Sequence, residues 1–260
     1  MKPIFTFLLC FFALSFTRAQ SGLWEDVTEQ RIQLPTESEV DIPAKQYRTL
    51  ALNYDAFVQQ IANAPLAFTA AAQNNPAEVE LPLPDGTTEL FKVVESRIMA
   101  PELAAKYPHI KAYTAVSKEH PSVSARFEIT RKGLSVGIKT PAGRFYIEPY
   151  ASQQVRYYAF YSKKDVNPEA YTDASCGFND QIHEEHFSDE HQNSNRENLS
   201  FRSFSGTNLP LRTYRLAAAC TGEFAQNQGG TMDDVLSAYA TIINRLNEIL
   251  QSEGSISMEL

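Results

Sequence analysis

Between residues 122 and 130, apolar side chains fall on every second position: Val123, Ala125, Phe127 and Ile129. That period of two predicts a strand with one face buried. Lys132-Gly133 turns the chain, Leu134, Val136 and Ile138 continue the alternation, and Pro141-Ala142-Gly143 turns it again. Residues 145–147 and 155–161 follow as further strands, giving a curled antiparallel meander. Upstream the signals mix. Residues 48–53 read as a strand, after which Asn53 or Asp55 caps a helix with Phe57, Val58 and Ile61 on one side, closed by Ala64-Pro65. Two apolar runs, 78–82 and 90–94, flank the hairpin signal Pro84-Asp85-Gly86. Pro101 opens a second helix, which stops before Pro108, and 110–116 reads as a strand. The pattern predicts an α+β fold, rich in antiparallel strands with two short helices.

After Lys164 the alternation stops. Residues 165–209 are rich in Asn, Asp, Glu, Ser and His and poor in aliphatics, as an acidic polar linker is. The period then changes. Residues 211–219 form an apolar strand, and Thr221-Gly222 and Gly229-Gly230 bracket a loop. Thr231 is a good N-cap, with Asp233 and Asp234 where the helix dipole favours them. Val235, Leu236, Tyr239, Ile242, Ile243, Leu246, Ile249 and Leu250 mark one helical face, Gly254 ends the helix, and Ile256, Met258 and Leu260 alternate as a strand. A crossover of this length predicts a right-handed βαβ unit with parallel strands.

The N-terminus changes the picture of where the chain goes. Lys2 precedes an almost unbroken apolar run over 4–16, and Thr17-Arg18-Ala19 offers small residues for cleavage after Ala19. This is the pattern of an export signal, and the run is shorter than the roughly 20 residues needed to span a bilayer. Cys10 is followed by Phe11-Phe12, not by the small-residue boundary of a lipidated cysteine. Formal net charge is −8, and loss of residues 1–19 removes Lys2 and Arg18 but no acid, leaving −10. An acidic surface repels phosphate backbones and anionic lipid, which argues against nucleic-acid and membrane partners. Export leaves Cys176 and Cys220, enough for one disulfide but not for a disulfide-built fold.

Two stretches carry a family resemblance. One begins Phe91-Lys-Val-Val-Glu-Ser-Arg-Ile-Met-Ala-Pro-Glu-Leu and runs to Tyr113, preceded by Leu81-Pro-Leu-Pro-Asp-Gly86. It resembles the propeptide of secreted bacterial reprolysin-like zinc metallopeptidases of the metzincin clan. The other is Tyr214-Arg-Leu-Ala-Ala-Ala-Cys-Thr-Gly-Glu-Phe-Ala225, with Gly229-Gly-Thr231 and Ile243-Asn-Arg-Leu-Asn-Glu-Ile249. It is similar to the first strand and helix of the catalytic domain in the same proteins. The resemblance implies a signal peptide at 1–19, a propeptide domain at 20–164, the linker at 165–209 and, at 210–260, an incomplete βαβ unit of a metzincin-like catalytic domain. In that family three histidines of H-E-x-x-H-x-x-G-x-x-H hold the zinc and the glutamate is the general base. That motif is not in these residues. The expectation is therefore the N-terminal portion of a secreted metalloendopeptidase precursor, inactive alone. It has no catalytic, cofactor-binding or metal-ligating residue of its own, and zinc belongs to the complete enzyme. Its expected partners are its own missing catalytic domain or a related protease, and protein substrates for the complete enzyme. The alternative is an exported, non-enzymatic propeptide-like inhibitor acting on a protease in trans.

Several constellations invite chemistry. His183-Glu184-Glu185-His186, followed by His191, has histidines at i and i+3 where a zincin needs i and i+4, in helix-poor company; it reads as solvated linker. Cys176 has three readings: a disulfide to Cys220, a thiolate held on zinc as the resemblance allows for a latent protease, or a free loop thiol. Cys220, at the end of an apolar strand, is expected to be buried or paired. Glu223 has no base, nucleophile or metal partner nearby in sequence, and the aromatic run 157–161 is explained by strand faces packing in a core. With no further strands to cover the apolar face of its helix, the C-terminal unit is expected to be loosely packed or aggregation-prone in isolation. Trypsin is expected to cut the linker at Arg196 or Arg202 before Arg126 or Arg131.

Overall fold

The computed structural model describes residues 22–36, 38–152, 154–167 and 211–260. Its centre is one antiparallel sheet of nine strands: β1 (Trp24–Asp26), β2 (Arg48–Leu52), β3 (Ala77–Pro82), β4 (Thr88–Ser96), β5 (Lys111–Ser117), β6 (Ser124–Thr130), β7 (Gly133–Thr140), β8 (Gly143–Pro149) and β9 (Tyr157–Ser162). Their spatial order is β1-β2-β9-β8-β7-β6-β5-β4-β3. The alternation read from sequence sets the faces. Phe127 of β6 pairs with Val136 of β7 and Tyr113 of β5, and all three point inward.

The sheet curls until its two outermost strands meet. Trp24 Nε1 on β1 donates to the Glu80 carbonyl on β3 at 2.9 Å, and Arg48 Nη1 on β2 donates to the Leu83 carbonyl at 3.2 Å. Helix α1 (Tyr54–Ile61) fills the concave side. Asn53 caps it by accepting the Ala56 amide, and Phe57 and Ile61 are buried in the central core. The Phe57 ring meets Trp24 and Phe127 edge-on at centroid distances of 6.1 and 5.7 Å. Two further short helices follow, α2 (Ala70–Asn74) and α3 (Pro101–Lys106). The sequence pattern missed α2: three consecutive alanines have no apolar period, but Thr69 caps them by accepting the Ala72 amide. It also missed β1, which is too short to show alternation.

The C-terminal segment comprises β10 (Arg212–Arg215), α4 (Gly222–Gln228), α5 (Met232–Gly254) and β11 (Ile256–Glu259). β10 and β11 pair in parallel, as the βαβ pattern predicts. Two details differ. The strand expected over 211–219 stops at Arg215, and Thr221 caps α4 where a loop was expected. Thr231 caps α5 in a reciprocal box with Asp234. Gly229 precedes it at φ +125°, and a Cβ there would lie 2.6 Å from Asp234 Oδ2, so only glycine permits the box.

Candidate functional site: the docking face of helix α5

Outward positions on a solvated sheet carry polar side chains, and β6 alternates accordingly, with Arg126, Glu128 and Thr130 facing out. All three are nevertheless buried, because α5 lies across them. Asn244 of α5 is the pivot. Its Nδ2 donates to Glu128 Oε2 at 2.8 Å and its Oδ1 accepts from Arg126 Nη1 at 3.4 Å. Arg126 Nη2 also donates to Gln251, and Arg245 Nη2 donates to Glu148 of β8 while its guanidinium lies over the Tyr146 ring at 4.9 Å. Beside this polar row is an apolar patch. Leu236, Ala240 and Ile243 of α5 pack on Ile98, Met99, Ile110 and Ala112.

Both ends of the segment are tied down. At the start of α5, Asp233 lies 2.8 Å from His109 Nε2 and 3.6 Å from Arg131, and Lys132 Nζ donates to Gln228 at 2.6 Å. At the far end, the Ala100 amide donates to the Leu260 carbonyl and the Leu260 amide to the Ile98 carbonyl, at 2.6 and 2.9 Å. Asn247 acts as a one-residue strand: its amide group donates to the Met258 carbonyl at 2.9 Å and accepts the Met258 amide at 2.7 Å, fixing β11 to the helix.

The buried face is therefore not the one marked by apolar residues alone. It runs through Val235, Leu236, Ser237, Ala240, Ile243, Asn244 and Asn247, while Ile242, Leu246 and Ile249 are exposed. The sheet's charged row selects Asn244 over a leucine or isoleucine, since an apolar cover would strand Arg126 and Glu128 without partners, and the Met258 backbone of β11 selects Asn247. The unit expected to pack loosely in isolation is docked here, its buried face covered by the sheet.

Burial holds the Glu128 carboxyl above the usual carboxylate range, against the opposing pull of the Arg245 charge and the Asn244 and Thr241 hydrogen bonds. Its Oε1 has no hydrogen-bond partner among the described residues. Burial also works against the charge on Arg245, but the Glu148 and Glu128 carboxylates outweigh it and hold the guanidinium protonated. A second cluster lies at the β4–β5 end of the sheet. Glu89 Oε1 accepts from Ser117 Oγ and meets His120 Nδ1, both at 2.6 Å, and this bond raises the His120 pKa above its ordinary value. Donor atoms of Glu89, Glu119 and His120 fall within 4.8 Å of one another, a set able to exchange a shared proton for a cation. Sequence reading missed it because 31 residues separate Glu89 from His120.

Both shifts give a pH dependence of one sign. A group whose folded pKa is raised contributes stability that is complete below its ordinary value and lost as pH rises through the raised one. The groups facing Glu128 are Asn244, Thr241 and Arg245 from α5 and Glu148 from β8. Thermal unfolding of wild type, Glu128→Gln and His120→Asn at pH 5.5 and 8.5 is the check. Each substitution is expected to shrink the loss of Tm between the two pH values, and an unchanged loss in both would contradict this reading of the clusters.

The remaining sequence candidates fall as follows. Cys220 is exposed in the irregular segment before α4, not buried at a strand end, because β10 ends five residues earlier. Cys176 and the His183, His186 and His191 cluster lie outside the described residues, as does the segment read as an export signal. Glu223 is in the first turn of α4, where hydrogen bonds from its own amide and from Thr221 lower its pKa, as a capping acid requires. The run 157–161 is β9, with Tyr158 and Phe160 in the core. Among the described residues, no helix is long and apolar enough to cross a membrane. No protein-family model, curated protein or solved structure matches this chain.

Proposed function

We propose that this chain is the N-terminal portion of a secreted reprolysin-like zinc metalloendopeptidase precursor, with the curled sheet as a propeptide that holds the first βαβ unit of the catalytic domain. The observation that carries the reading is the buried charge on outward positions of β6. Arg126 and Glu128 are matched by polar residues of α5, so this sheet face is built to receive that helix. A charged, hydrogen-bonded interface also suits a holder that must later let go, since its groups regain water on separation.

The other side of the unit supports the same reading. Parallel strands are ordinarily covered on both faces. β10 is exposed along its whole length, and Ile242, Leu246 and Ile249 present an apolar strip on α5. These surfaces suit a unit that belongs to a larger α/β sheet, whose zinc site and general base would lie elsewhere. Export follows in this proposal from the charged and apolar pattern of residues 2–19.

Two assays on the purified chain test it. Elemental analysis after dialysis and a casein cleavage assay are expected to show no stoichiometric zinc and no cleavage. One zinc per chain with chelator-sensitive cleavage would overturn the reading. Added to an active reprolysin-like peptidase, the chain is expected to slow peptide cleavage; no inhibition at any excess would remove the propeptide role.

A further inference from the structure

Docking of α5 creates a cleft of about 510 Å³ between the outer face of the sheet and the β10–β11 pair. That volume is in the range of small-molecule sites. Val94, Ser96, Thr114 and Arg126 form the sheet wall, and Leu211, Thr213, Asn247, Gln251, Ser257 and Glu259 the opposite one.

Arg126 is the anomaly. Its residue surface is only 8% exposed, yet among the described residues no carboxylate lies within ion-pairing distance of it. Its two hydrogen bonds go to neutral amide oxygens, those of Asn244 and Gln251. A guanidinium has five donors in a planar fork that matches a carboxylate. A buried cation without a direct ion pair is costly, and such groups are ordinarily paired; the Glu248 carboxylate acts on Arg126 only from beyond ion-pairing distance. Here a guanidinium with no direct ion pair lines an open cleft.

The second anomaly is at the mouth. Phe68 lines the cleft, is 80% exposed and has φ +64°, a left-handed backbone conformation that is an outlier for a bulky side chain. Its segment is held there by the Ala67 amide donating to the Glu95 carbonyl at 2.8 Å and the Glu95 amide to the Pro65 carbonyl at 2.9 Å. An exposed aromatic fixed in a strained conformation beside a cavity suits contact with a ligand better than it suits folding.

We propose that this cleft binds an organic monocarboxylate, its carboxylate paired with Arg126 and its apolar arm against Leu66, Phe68, Val94 and Leu211. Glu259 on the opposite wall sets the charge. One cation in the cleft's depth, with a carboxylate nearby, favours a single negative charge over a phosphate dianion. Arg97 also lines the cleft but is exposed, where water weakens its pull. Both walls are needed, so the ligand binds only while the C-terminal segment is docked and stabilises that docking. The proposal rests on the docked geometry and not on the peptidase reading.

Titration calorimetry on the full chain tests it with 3-phenylpropionate, its uncharged amide 3-phenylpropionamide, inorganic phosphate and N-acetyl-alanyl-phenylalanine. The expected result is one saturable site for 3-phenylpropionate, with the amide and phosphate at least tenfold weaker. Tighter binding of the dipeptide assigns the site to a peptide C-terminus, and tighter binding of 3-phenylpropionate to a free acid. Arg126→Met is expected to lose binding. Because that change also touches α5 docking, Thr213→Trp provides an independent block: it starts from an exposed position on β10, adds bulk to the cleft lining and replaces no partner of the Arg126 hydrogen bonds. Equal affinity for acid and amide, tighter binding of phosphate, or unchanged binding in a folded Thr213→Trp variant would each overturn the proposal.

Discussion

Phe57→Ala is expected to destabilise the protein by about 3–5 kcal/mol, the range for removing a buried phenyl ring from a packed core. The side chain is fully buried in the core inside the curl. It contacts Trp24, whose indole bonds the opposite edge of the sheet, and Phe127, near the middle of the sheet. Removing the ring leaves a cavity between Trp24 and Phe127, two aromatic groups on separate elements, neither of which can collapse into it without losing a partner. A domain is ordinarily stable by only about 5–15 kcal/mol, so the loss is a large share of the total. Urea denaturation measures it, with Phe68→Ala as the control at an exposed aromatic. A loss below 1 kcal/mol in the Phe57 variant would mean that α1 does not plug the sheet.

Ile243→Asp is expected to free α5 from the sheet while leaving the sheet folded. Ile243 is buried among Ile98, Met99, Ile110 and Ala112, none of which can pair a carboxylate. An uncompensated buried charge costs roughly 3–5 kcal/mol. The sheet has its own core inside the curl, formed without any residue of α5. Hydrogen exchange should therefore show lost protection in α5 and β11 and retained protection in β7 and β8. Loss of protection across every strand would mean that sheet and helix are one cooperative unit.

The strands of the curled sheet were legible because its inner face is apolar. A period of two with a one-sided core leaves little freedom of assignment, and the turns at Gly133 and Gly143 carry positive φ where glycine was read as a turn. The caps at Asn53 and Thr231 were legible for a local reason, since the side chain and the amide it accepts are three residues apart. What was not legible is whatever depends on distant chain segments. The docked face of α5 could not be read from α5, because the residues that choose Asn244 lie more than a hundred positions earlier on β6. Glu89 and His120 are likewise ordinary residues until two strands bring them together. Arg126 shows the limit most clearly. In sequence it is the outward charged residue of an alternating strand, and only docking of α5 buries it.

The most direct measurement is to open the chain between its two parts. A specific protease site placed within residues 168–210 leaves every described hydrogen bond untouched. After complete cleavage, size-exclusion chromatography at neutral pH separates free pieces from a complex. The two fragments are expected to co-elute as one species in wild type and to separate in the Ile243→Asp variant. Separation of the wild-type fragments under native conditions would contradict the account of the sheet as the holder of α5.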